Sequence, residues 1–263
     1  MSTAPLLEVT NLAKSFVSRK ATAEIIRDIS LSVGQGEFVS VIGPSGSGKS
    51  TLFNLLAELT APSGGAVTFH GDRKPGVPFS AYMPQKDLLI PWLTVEDNAS
   101  LGLSLQGMRR SKARERVREL FGTFRLEGQG GAYPFELSGG MRQRVALLRT
   151  VVQDRPLLLL DEPFGALDYL TRTELQLWLA ELSAENGLSV VLITHDVPEA
   201  LFLSDRVYVL SNRPATVRLV LEQNDPRPRT LAYLETEEFR HNERMLLEEL
   251  TESARSRPEG STR

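Results

Sequence analysis

Apolar residues run without polar alternation at two places in the chain, Leu157 to Leu160 and Val190 to Ile193. Strands that are buried on both faces of a parallel sheet have this composition. A further strand, Glu37 to Ile42, leads directly into a glycine-rich loop and then an apolar helix. We therefore predict an α/β fold with a parallel sheet. Five more strands are predicted from alternation or short apolar runs: Leu6 to Thr10, Ile25 to Val33, Ala66 to Phe69, Ser80 to Met83 and Val207 to Leu210.

Between about Asp87 and Asp154 the pattern predicts helices, with no convincing strand among them. We expect an all-helical lobe inserted into one domain. That domain would have a core (1–86 and 155–220), a helical subdomain (87–154) and a C-terminal extension (221–263). The last dozen residues of the extension are expected to be disordered. The predicted helices are Asn98 to Met108, Lys112 to Phe124, Ser138 to Val152, Thr171 to Glu185 and Leu231 to Leu250.

The loop GPSGSGKST, Gly43 to Thr51, fits the pattern G-x-x-x-x-G-K-[ST]. Its glycines allow positive φ and let the backbone approach a ligand closely. Successive N–H groups at a helix N-terminus form a nest for phosphate oxygens. Lys49 is expected to bind the β- and γ-phosphates, and Ser50 to ligate Mg²⁺. The residues expected to bind nucleotide are Gly43, Pro44, Ser45, Gly46, Ser47, Gly48, Lys49, Ser50 and Thr51.

Two adjacent carboxylates, Asp161 and Glu162, end the apolar strand in LLLLDEP. Ligands of parallel sheets bind at this carboxyl end. Asp161 is expected to hold Mg²⁺ directly or through water, and Glu162 to polarise the attacking water as a general base. The alternative is an ordinary acidic turn, which the phosphate loop in the same chain disfavours.

A second helix start suited to anions lies in LSGGMRQR, Leu137 to Arg144. Ser138 is a predicted N-cap, and two glycines follow it in the first turn. One ATP molecule needs one phosphate loop, so two such sites in one chain suggest a dimeric arrangement. Considered alone, the stretch is more typical of a plain helix start.

Composition limits the classes of partner. The chain has 263 residues, 41% of them hydrophobic, which is enough for a substantial core. Its net charge of −3 argues against nucleic acid as the main partner, because phosphate neutralisation needs a dominant basic surface. Cysteine is absent, so disulfides and thiolate metal sites are excluded. We expect no signal peptide, and no apolar run reaches the roughly 18 residues of a membrane span.

Taken together, the motifs resemble those of the ATPase subunit of ABC transporters. GPSGSGKST, Gln85, LSGGMRQR, LLLLDEP, the triplet Ala166 to Asp168 and His195 follow one another in that family's order. The resemblance covers Leu6 to about Leu210. It implies a P-loop ATPase that uses ATP and Mg²⁺, with a RecA-like core, an N-terminal antiparallel β region and an inserted helical lobe.

The resemblance also implies roles for single residues. Phe16, in the predicted loop between the first two strands, corresponds to the ring that stacks on adenine. Gln85 corresponds to a catalytic glutamine that contacts Mg²⁺ or water. His195 resembles a histidine that bonds the γ-phosphate, and Asp168 is expected at the seam between two subunits. The residues expected to bind the opposite subunit's ATP are Leu137, Ser138, Gly139, Gly140 and Gln143.

The kind of ABC protein is indicated by two stretches. Lys86 to Leu103 contains four apolar residues that we expect to be exposed, where the family docks a coupling helix of the membrane subunit. Packing inside the lobe is the alternative reading. LLIPWLTVEDN and DPRPR, Asp225 to Arg229, resemble the nitrate/sulfonate/taurine importer branch, which includes uptake of thiamine-precursor pyrimidines and riboflavin. The four apolar residues are Leu88, Leu89, Ile90 and Trp92.

The sequence therefore predicts the ATPase subunit of a bacterial importer, bound peripherally at the cytoplasmic face of the inner membrane. Its expected partners are a second ATPase subunit in a homodimer, integral membrane permease subunits and, indirectly, an extracytoplasmic substrate-binding protein. The alternatives are the ATPase of a lipoprotein-release or export system and a soluble ABC ATPase of translation or DNA repair. The latter usually carries two ATPase units or a long coiled-coil insertion, and basic surfaces.

Overall fold

The computed structural model describes residues 4–17, 22–71 and 77–255, and that part of the chain contains nine strands and seven α-helices. The strands are β1 (Leu7–Val17), β2 (Thr22–Val33), β3 (Phe38–Ile42), β4 (Gly64–Phe69), β5 (Ser80–Met83), β6 (Leu157–Asp161), β7 (Ser189–Ile193), β8 (Arg206–Leu210) and β9 (Val217–Glu222). The helices are α1 (Lys49–Leu56), α2 (Val95–Leu105), α3 (Arg110–Glu119), α4 (Gly139–Val151), α5 (Tyr169–Glu185), α6 (Val197–Leu203) and α7 (Glu237–Arg255).

The larger sheet has six strands in the order β5-β6-β7-β3-β8-β9. The first five are parallel, and β9 pairs antiparallel with β8. β6 and β7 are buried along their whole length, which confirms the interpretation of their apolar runs, and β3 is buried along its whole length as well. Successive side chains alternate between two hydrophobic cores. In β6, Leu158 and Leu160 face the core shared with the helical segment, while Leu157 and Leu159 face the core under α1.

A second sheet of three antiparallel strands, in the order β2-β1-β4, packs with α1 against the large sheet. β1 extends well beyond its predicted end, to Val17. Phe16 therefore lies in a strand, opposite Ala23, and its predicted place in a loop is wrong. The reason is that register shifts between Val9 and Ser15 interrupt the alternation from which the strand was predicted.

Between β5 and β6 the chain, described without a gap over 84–156, forms helices and turns but no strand, as predicted. Thr94 caps α2 by accepting a hydrogen bond from the Asp97 N–H at 3.3 Å. The Asp97 carboxylate accepts hydrogen bonds of 2.8 to 3.2 Å from both Arg110 and Arg114. These paired ionic contacts hold α2 and α3 together.

Arg144 of α4 joins this helical segment to α5. It is buried, and its Nη2 donates to Glu174 at 2.8 Å. Glu174 also accepts a hydrogen bond from Arg125 at 3.1 Å. The Arg144 guanidinium lies 5.3 Å from the Trp178 ring, and the indole N–H of Trp178 donates to the Thr123 carbonyl at 3.0 Å. A cation, a carboxylate and a ring thus fasten the helical segment to the core.

Three features after β7 differ from the predictions. The short helix α6 and the strand β9 were not predicted; β9 is an edge strand whose side chains alternate between half-buried and exposed. The predicted helix Leu231 to Leu250 is divided into a 3₁₀ turn, Leu231–Glu235, and α7. Because α7 continues to Arg255, the first four of the last dozen residues are helical and not disordered. Residues 256–263 lie outside the described residues.

Two arginines of the motif DPRPR fasten the C-terminal segment to the core. Arg227 donates through Nε and Nη2 to Asp205 at 2.8 and 2.7 Å, and also to the Gly36 carbonyl at 2.8 Å. Arg229 is 4% exposed and caps the C-terminal end of α6, where a cation suits the exposed carbonyls. Its Nη1 donates to the carbonyls of Leu201, Phe202 and Ser204.

Candidate active site

Four adjacent parallel strands bring predicted site residues to one edge of the sheet. Gln85 follows β5, Glu162 follows β6, His195 follows β7, and the glycine-rich loop follows β3. They surround a cavity of about 550 Å³. The structure thus gathers residues that are far apart in the chain, and it adds Arg213, which was not predicted. The lining residues are Ser45, Gly46, Gly48, Lys49, Ser50, Thr51, Gln85, Glu162, His195 and Arg213.

Glycine is needed in the loop for two different reasons. Gly46 and Gly48 have φ values of 76° and 121°, a region that glycine adopts readily. Gly43 does not have a positive φ, so that expectation is wrong for it; a Cβ there would lie 3.1 Å from the Leu210 carbonyl oxygen and 3.3 Å from Ser47 Oγ. The Ser47 hydroxyl is buried and, in the described part of the chain, has no hydrogen-bond partner.

Lys49 begins α1 and is buried at the base of the loop. Its Nζ donates to the carbonyls of Gly43 and Pro44 at 2.7 and 3.0 Å, which leaves one of its three N–H donors for a ligand. Burial lowers the pKa of Lys49, while the neighbouring carboxylates of Glu162 and Asp161 act in the opposite direction. No acidic residue stands in the first turn of α1. The helix start therefore suits an anion.

Asp161, at the end of β6, is 6% exposed, and its Oδ2 accepts a hydrogen bond from the Tyr82 hydroxyl at 3.2 Å. Burial raises the pKa of Asp161; the Tyr82 hydrogen bond lowers it, and the Glu162 carboxylate adds to the rise. Burial and the Asp161 charge raise the pKa of Tyr82, so the phenol remains a donor. Tyr82 was missed because a tyrosine in a strand is not itself a motif; the register of β5 beside β6 is what identifies it.

Glu162 connects three strand ends. Its Oε2 accepts a hydrogen bond from Gln85 Nε2 at 2.9 Å and lies 3.2 Å from His195 Nδ1. Its backbone N–H donates to the Ile193 carbonyl at 2.8 Å. Its φ of 44° is uncommon for a residue other than glycine. A carboxylate oriented in this way at the wall of a cavity is suited to accept a proton from water.

The helix start in LSGGMRQR has the predicted cap. Ser138 Oγ accepts a hydrogen bond from the Met141 N–H at 3.2 Å. Gly140 is required by packing, since a Cβ there would lie 2.7 Å from Thr171 Cγ2 of α5. Leu137 is buried in the hydrophobic core. The segment is therefore held firmly at the junction of α4 and α5.

A second cavity, of about 670 Å³, lies between this helix start and the site. Gly139 and Gln143 line one side of it, and Gln85, Glu162 and His195 also line it. The Gln143 side-chain amide donates a hydrogen bond to the backbone carbonyl of Pro163, the residue after Glu162 in the same chain. Within one chain, Gln143 therefore supports the carboxylate loop and does not line the cavity at the phosphate loop.

Asp168 and Phe16 lie outside both cavities. Asp168 is exposed and caps α5; its Oδ1 accepts a hydrogen bond from the Thr171 N–H at 3.1 Å. Hydrogen bonds from the Thr171 side chain and then from backbone N–H groups lower the pKa of Asp168. Phe16 is 48% exposed, and the Lys14 ammonium lies 5.0 Å from the centre of its ring. The roles expected for these two residues, at a subunit seam and on adenine, stay predictions.

The predicted Mg²⁺ ligands have suitable chemistry. Mg²⁺ takes oxygen ligands and keeps waters and substrate phosphates in its shell. The Ser50 hydroxyl lines the cavity, and the Gln85 amide oxygen is available because its nitrogen donates to Glu162. Asp161 does not line the cavity, so it fits the version of the prediction in which it acts through water. Over the described ranges there is no group of three or more His, Asp or Glu side chains that could hold a metal alone.

The apolar stretch before α2 is only partly exposed. Leu88 and Trp92 are 58% and 76% exposed, whereas Leu89 is 9% exposed and packs in the core. The prediction that all four apolar side chains are exposed is therefore wrong for Leu89, and Ile90 is half-buried. Arg149 of α4 donates to the Leu88 carbonyl at 2.8 Å and so fixes the stretch to the helical segment. None of the described helices is long and apolar enough to cross a membrane.

Comparison with known proteins finds relatives that are all named as import ATP-binding proteins. The chain is 43% identical over 194 residues to a formylaminopyrimidine import ATP-binding protein of Halalkalibacterium halodurans, covering 74% of this chain and 76% of the relative. It is 41% identical to a nitrate import ATP-binding protein of Synechocystis over 84% of this chain and 83% of the relative. It is 38% identical to an aliphatic sulfonates import ATP-binding protein of Bacillus cereus over 85% and 88%.

Solved structures agree. A dimeric bacterial ABC transporter cassette is similar with a TM-score of 0.71 and 29% identity, over 84% of this chain and 100% of that chain. The same cassette in a post-hydrolysis state, bound to ADP and Pi, matches equally well. The family model described as ABC transporter matches residues 26–165. The chain therefore belongs to the ABC transporter family, as one of its nucleotide-binding ATPase subunits.

Proposed function

We propose that this chain is the ATP-hydrolysing subunit of a bacterial importer and that two copies act together on two ATP molecules. The observation that carries the proposal is the position of Glu162: one of its oxygens contacts both Gln85 and His195 at a cavity walled by the phosphate loop. A general base, two polar groups able to respond to a phosphate, and a phosphate nest are the parts that ATP hydrolysis needs.

In this proposal Lys49 and the loop N–H groups hold the β- and γ-phosphates. Ser50 and Gln85 would hold Mg²⁺, with Asp161 acting through water; when bound, the ion neutralises charge that builds up on the phosphates. Glu162 accepts a proton from the water that attacks the γ-phosphorus, and the bond to the β-phosphate oxygen breaks to give ADP and phosphate.

The remaining predicted residues belong to the dimer. Ser138 and Gly139, with Gly140, Gln143 and Leu137 behind them, would face the ATP held by the partner copy. Asp168 would lie at the seam, and Phe16 would stack on adenine through the ring face that Lys14 leaves open. Support comes from the dimeric form of the similar cassette.

We also propose that residues 87–154 act as the lobe that meets the permease. Its exposed apolar side chains include Leu88 and Trp92, and it also exposes the rings of Tyr133 and Phe135, which stack with their centres 5.6 Å apart. Exposed apolar side chains that form a patch on a protein surface are typical of protein contacts. The subunit would thus sit at the cytoplasmic face of the inner membrane and serve an extracytoplasmic substrate-binding protein through the permease.

For the transported solute we propose the group that the relatives' names define, which are nitrate, aliphatic sulfonates and a thiamine-precursor pyrimidine. The same names favour import over export, and over a soluble role in translation or DNA repair. The test is co-expression with the permease encoded nearby. A complex that takes up one of these solutes into vesicles only with Mg-ATP supports the proposal. A chain that hydrolyses ATP but never associates with a permease contradicts it.

A further inference from the structure

Arg213 occupies a position that the other strands of the sheet make significant. The parallel strands β5, β6, β7 and β3 each end in a residue or loop that lines the nucleotide cavity. β8 is the fifth parallel strand and lies beside β3, and Arg213 stands three residues after its end. Arg213 lines the cavity together with Lys49, although no predicted motif includes it.

The side chain of Arg213 differs from the structural arginines of this chain. Arg144, Arg227 and Arg229 are each held by a hydrogen bond or more and contact an aromatic ring. Arg213 is exposed, and in the described part of the chain no hydrogen bond or ion pair holds its guanidinium. An arginine without such partners among the described residues, at a cavity with a phosphate nest, is suited to bind an anion.

The loop that carries Arg213 is itself firmly built. Ser211 N–H donates to the Thr216 carbonyl at 2.9 Å, and Thr216 N–H donates back to Ser211 Oγ at 2.9 Å. The Ala215 N–H donates to the Ile25 carbonyl of β2 at 2.8 Å. These bonds hold the backbone on both sides of Arg213 and so place its Cα beside the cavity.

The C-terminal helix holds the same loop. The amide of Asn212 donates to the Ser253 carbonyl near the end of α7 at 2.7 Å. α7 is itself anchored to the core through Leu246, which is fully buried, and to β9 through an ion pair of Arg218 with Glu249 at 3.1 Å. The C-terminal helix α7 is therefore linked through Asn212 to the loop that lines the edge of the nucleotide cavity.

We propose that Arg213 binds the phosphate groups of the nucleotide as a second cation beside Lys49, and that α7 positions it through Asn212. This inference rests on the proposed ATP-hydrolysing function. Among the described residues that line the cavity, Glu162 is the one carboxylate and offsets the charge of Lys49, so Arg213 is what gives the lining side chains a net positive charge before any Mg²⁺ is counted. A guanidinium also matches phosphate geometry with two parallel hydrogen bonds.

The test measures dissociation constants of the purified full-length chain for ATP, ADP and AMP. We expect Arg213→Ala to weaken ATP binding about 10- to 100-fold, ADP binding less and AMP binding least, and Arg213→Lys to restore most of the loss. Arg240→Ala removes an exposed arginine of α7 outside the cavity and should change nothing. Asn212→Leu should weaken ATP binding by a smaller factor, because it frees the loop without removing the cation.

Three results would overturn the inference. They are ATP affinity of Arg213→Ala within twofold of wild type, an equal loss with Arg240→Ala, or an equal loss for all three nucleotides. If Arg213→Ala does not fold, the comparison of Arg213→Gln with Arg213→Lys decides in the same way. Failure of the proposed function is distinguishable, since it requires that wild type itself bind no ATP or that Lys49→Ala bind it normally.

Discussion

Nδ1 of His195 lies 3.2 Å from Oε2 of Glu162, and the same oxygen accepts the hydrogen bond from Gln85. The two contacting residues follow different strands, β7 and β5, so a movement of either residue changes the contacts of the same carboxylate oxygen. A γ-phosphate that attracts His195 would take it from Glu162 and release the carboxylate for water. This exchange of partners is the basis for the first prediction.

Glu162→Gln keeps the size and hydrogen bonding of the side chain but removes its capacity to accept a proton. We expect the rate of ATP hydrolysis to fall about 10²- to 10⁴-fold while ATP binding survives, because Lys49 and Ser50 are unchanged. The variant should accumulate as an ATP-bound dimer, which size-exclusion chromatography with light scattering detects.

The control for that dimer is Ser138→Arg in the same background, since a bulky cation at the helix start should block the contact across the seam. A variant that binds ATP, hydrolyses it slowly and stays monomeric would count against dimer closure by the isolated subunit. Undiminished hydrolysis would instead show that Glu162 is not the base.

Lys49→Ala should weaken nucleotide binding about 10- to 100-fold, as expected for loss of a charged hydrogen bond to phosphate. The matched control is Lys112→Ala, which removes an exposed lysine of α3. Fluorescent-nucleotide titration measures both. Equal nucleotide affinities of the two variants would show that the phosphate loop does not bind the nucleotide.

Leu88→Asn and Trp92→Gln together should abolish capture of the permease while leaving the melting temperature and ATP hydrolysis intact, because both side chains are exposed. Asparagine is chosen at Leu88 because its φ is 46°, which asparagine tolerates. Leu89→Ala should do the opposite and cost about 2 kcal/mol or more of stability. Permease capture by the double variant at wild-type yield would show that another surface docks.

Glu199 of α6 should make stability depend on pH. Burial, with the nearby Asp196 charge, raises the pKa of Glu199 to about 8 from its ordinary 4.5; Gln176 donates to it at 3.3 Å, and Arg172 acts in the opposite direction. Between pH 4.5 and 8 the folded state therefore keeps a proton on Glu199 that the unfolded state has already lost. As far as this group is concerned, the free energy of unfolding is highest below pH 4.5. It then declines as the pH rises to 8, by up to about 1.4 kcal/mol per pH unit.

Glu199→Gln should remove that dependence. The melting temperature of the variant relative to wild type should rise from pH 5 to pH 8 and then level off. Glu185→Gln, an exposed substitution at the end of α5, should show a difference near zero at every pH. A constant offset for Glu199→Gln would mean that the carboxyl is already ionised in the folded protein.

The strands β6 and β7 were predictable because each is apolar on both faces and is followed by a distinctive residue. Asp161, His195 and the phosphate loop could therefore be placed at one edge of a sheet before any coordinates. Tyr82 and Arg213 could not, since their importance depends on which strands are neighbours. Strand order is set by long-range pairing, for which the local pattern contains no signal.

The sequence pattern also could not predict which side chains of an apolar run are exposed to solvent. Leu88 and Leu89 are adjacent and chemically identical, yet one faces solvent and the other the core. The left-handed backbone at Leu88 and the Arg149 contact to its carbonyl decide which is which. Phe16 is a similar case, because bulges in β1 hide its strand from the alternation rule.

The arginines of DPRPR have a consequence for where the protein can be cut. Arg229 supplies donors to three carbonyls at the end of α6, and Arg227 does so for Asp205 and Gly36. A chain shortened before Asp225 would lack both arginines, so these carbonyl and carboxylate acceptors would lose the hydrogen bonds that the arginines donate. We therefore expect the smallest stable folding unit to extend at least through Arg229, well beyond the family match that ends at residue 165. Any dissection of this ATPase into minimal pieces should keep that segment with the core.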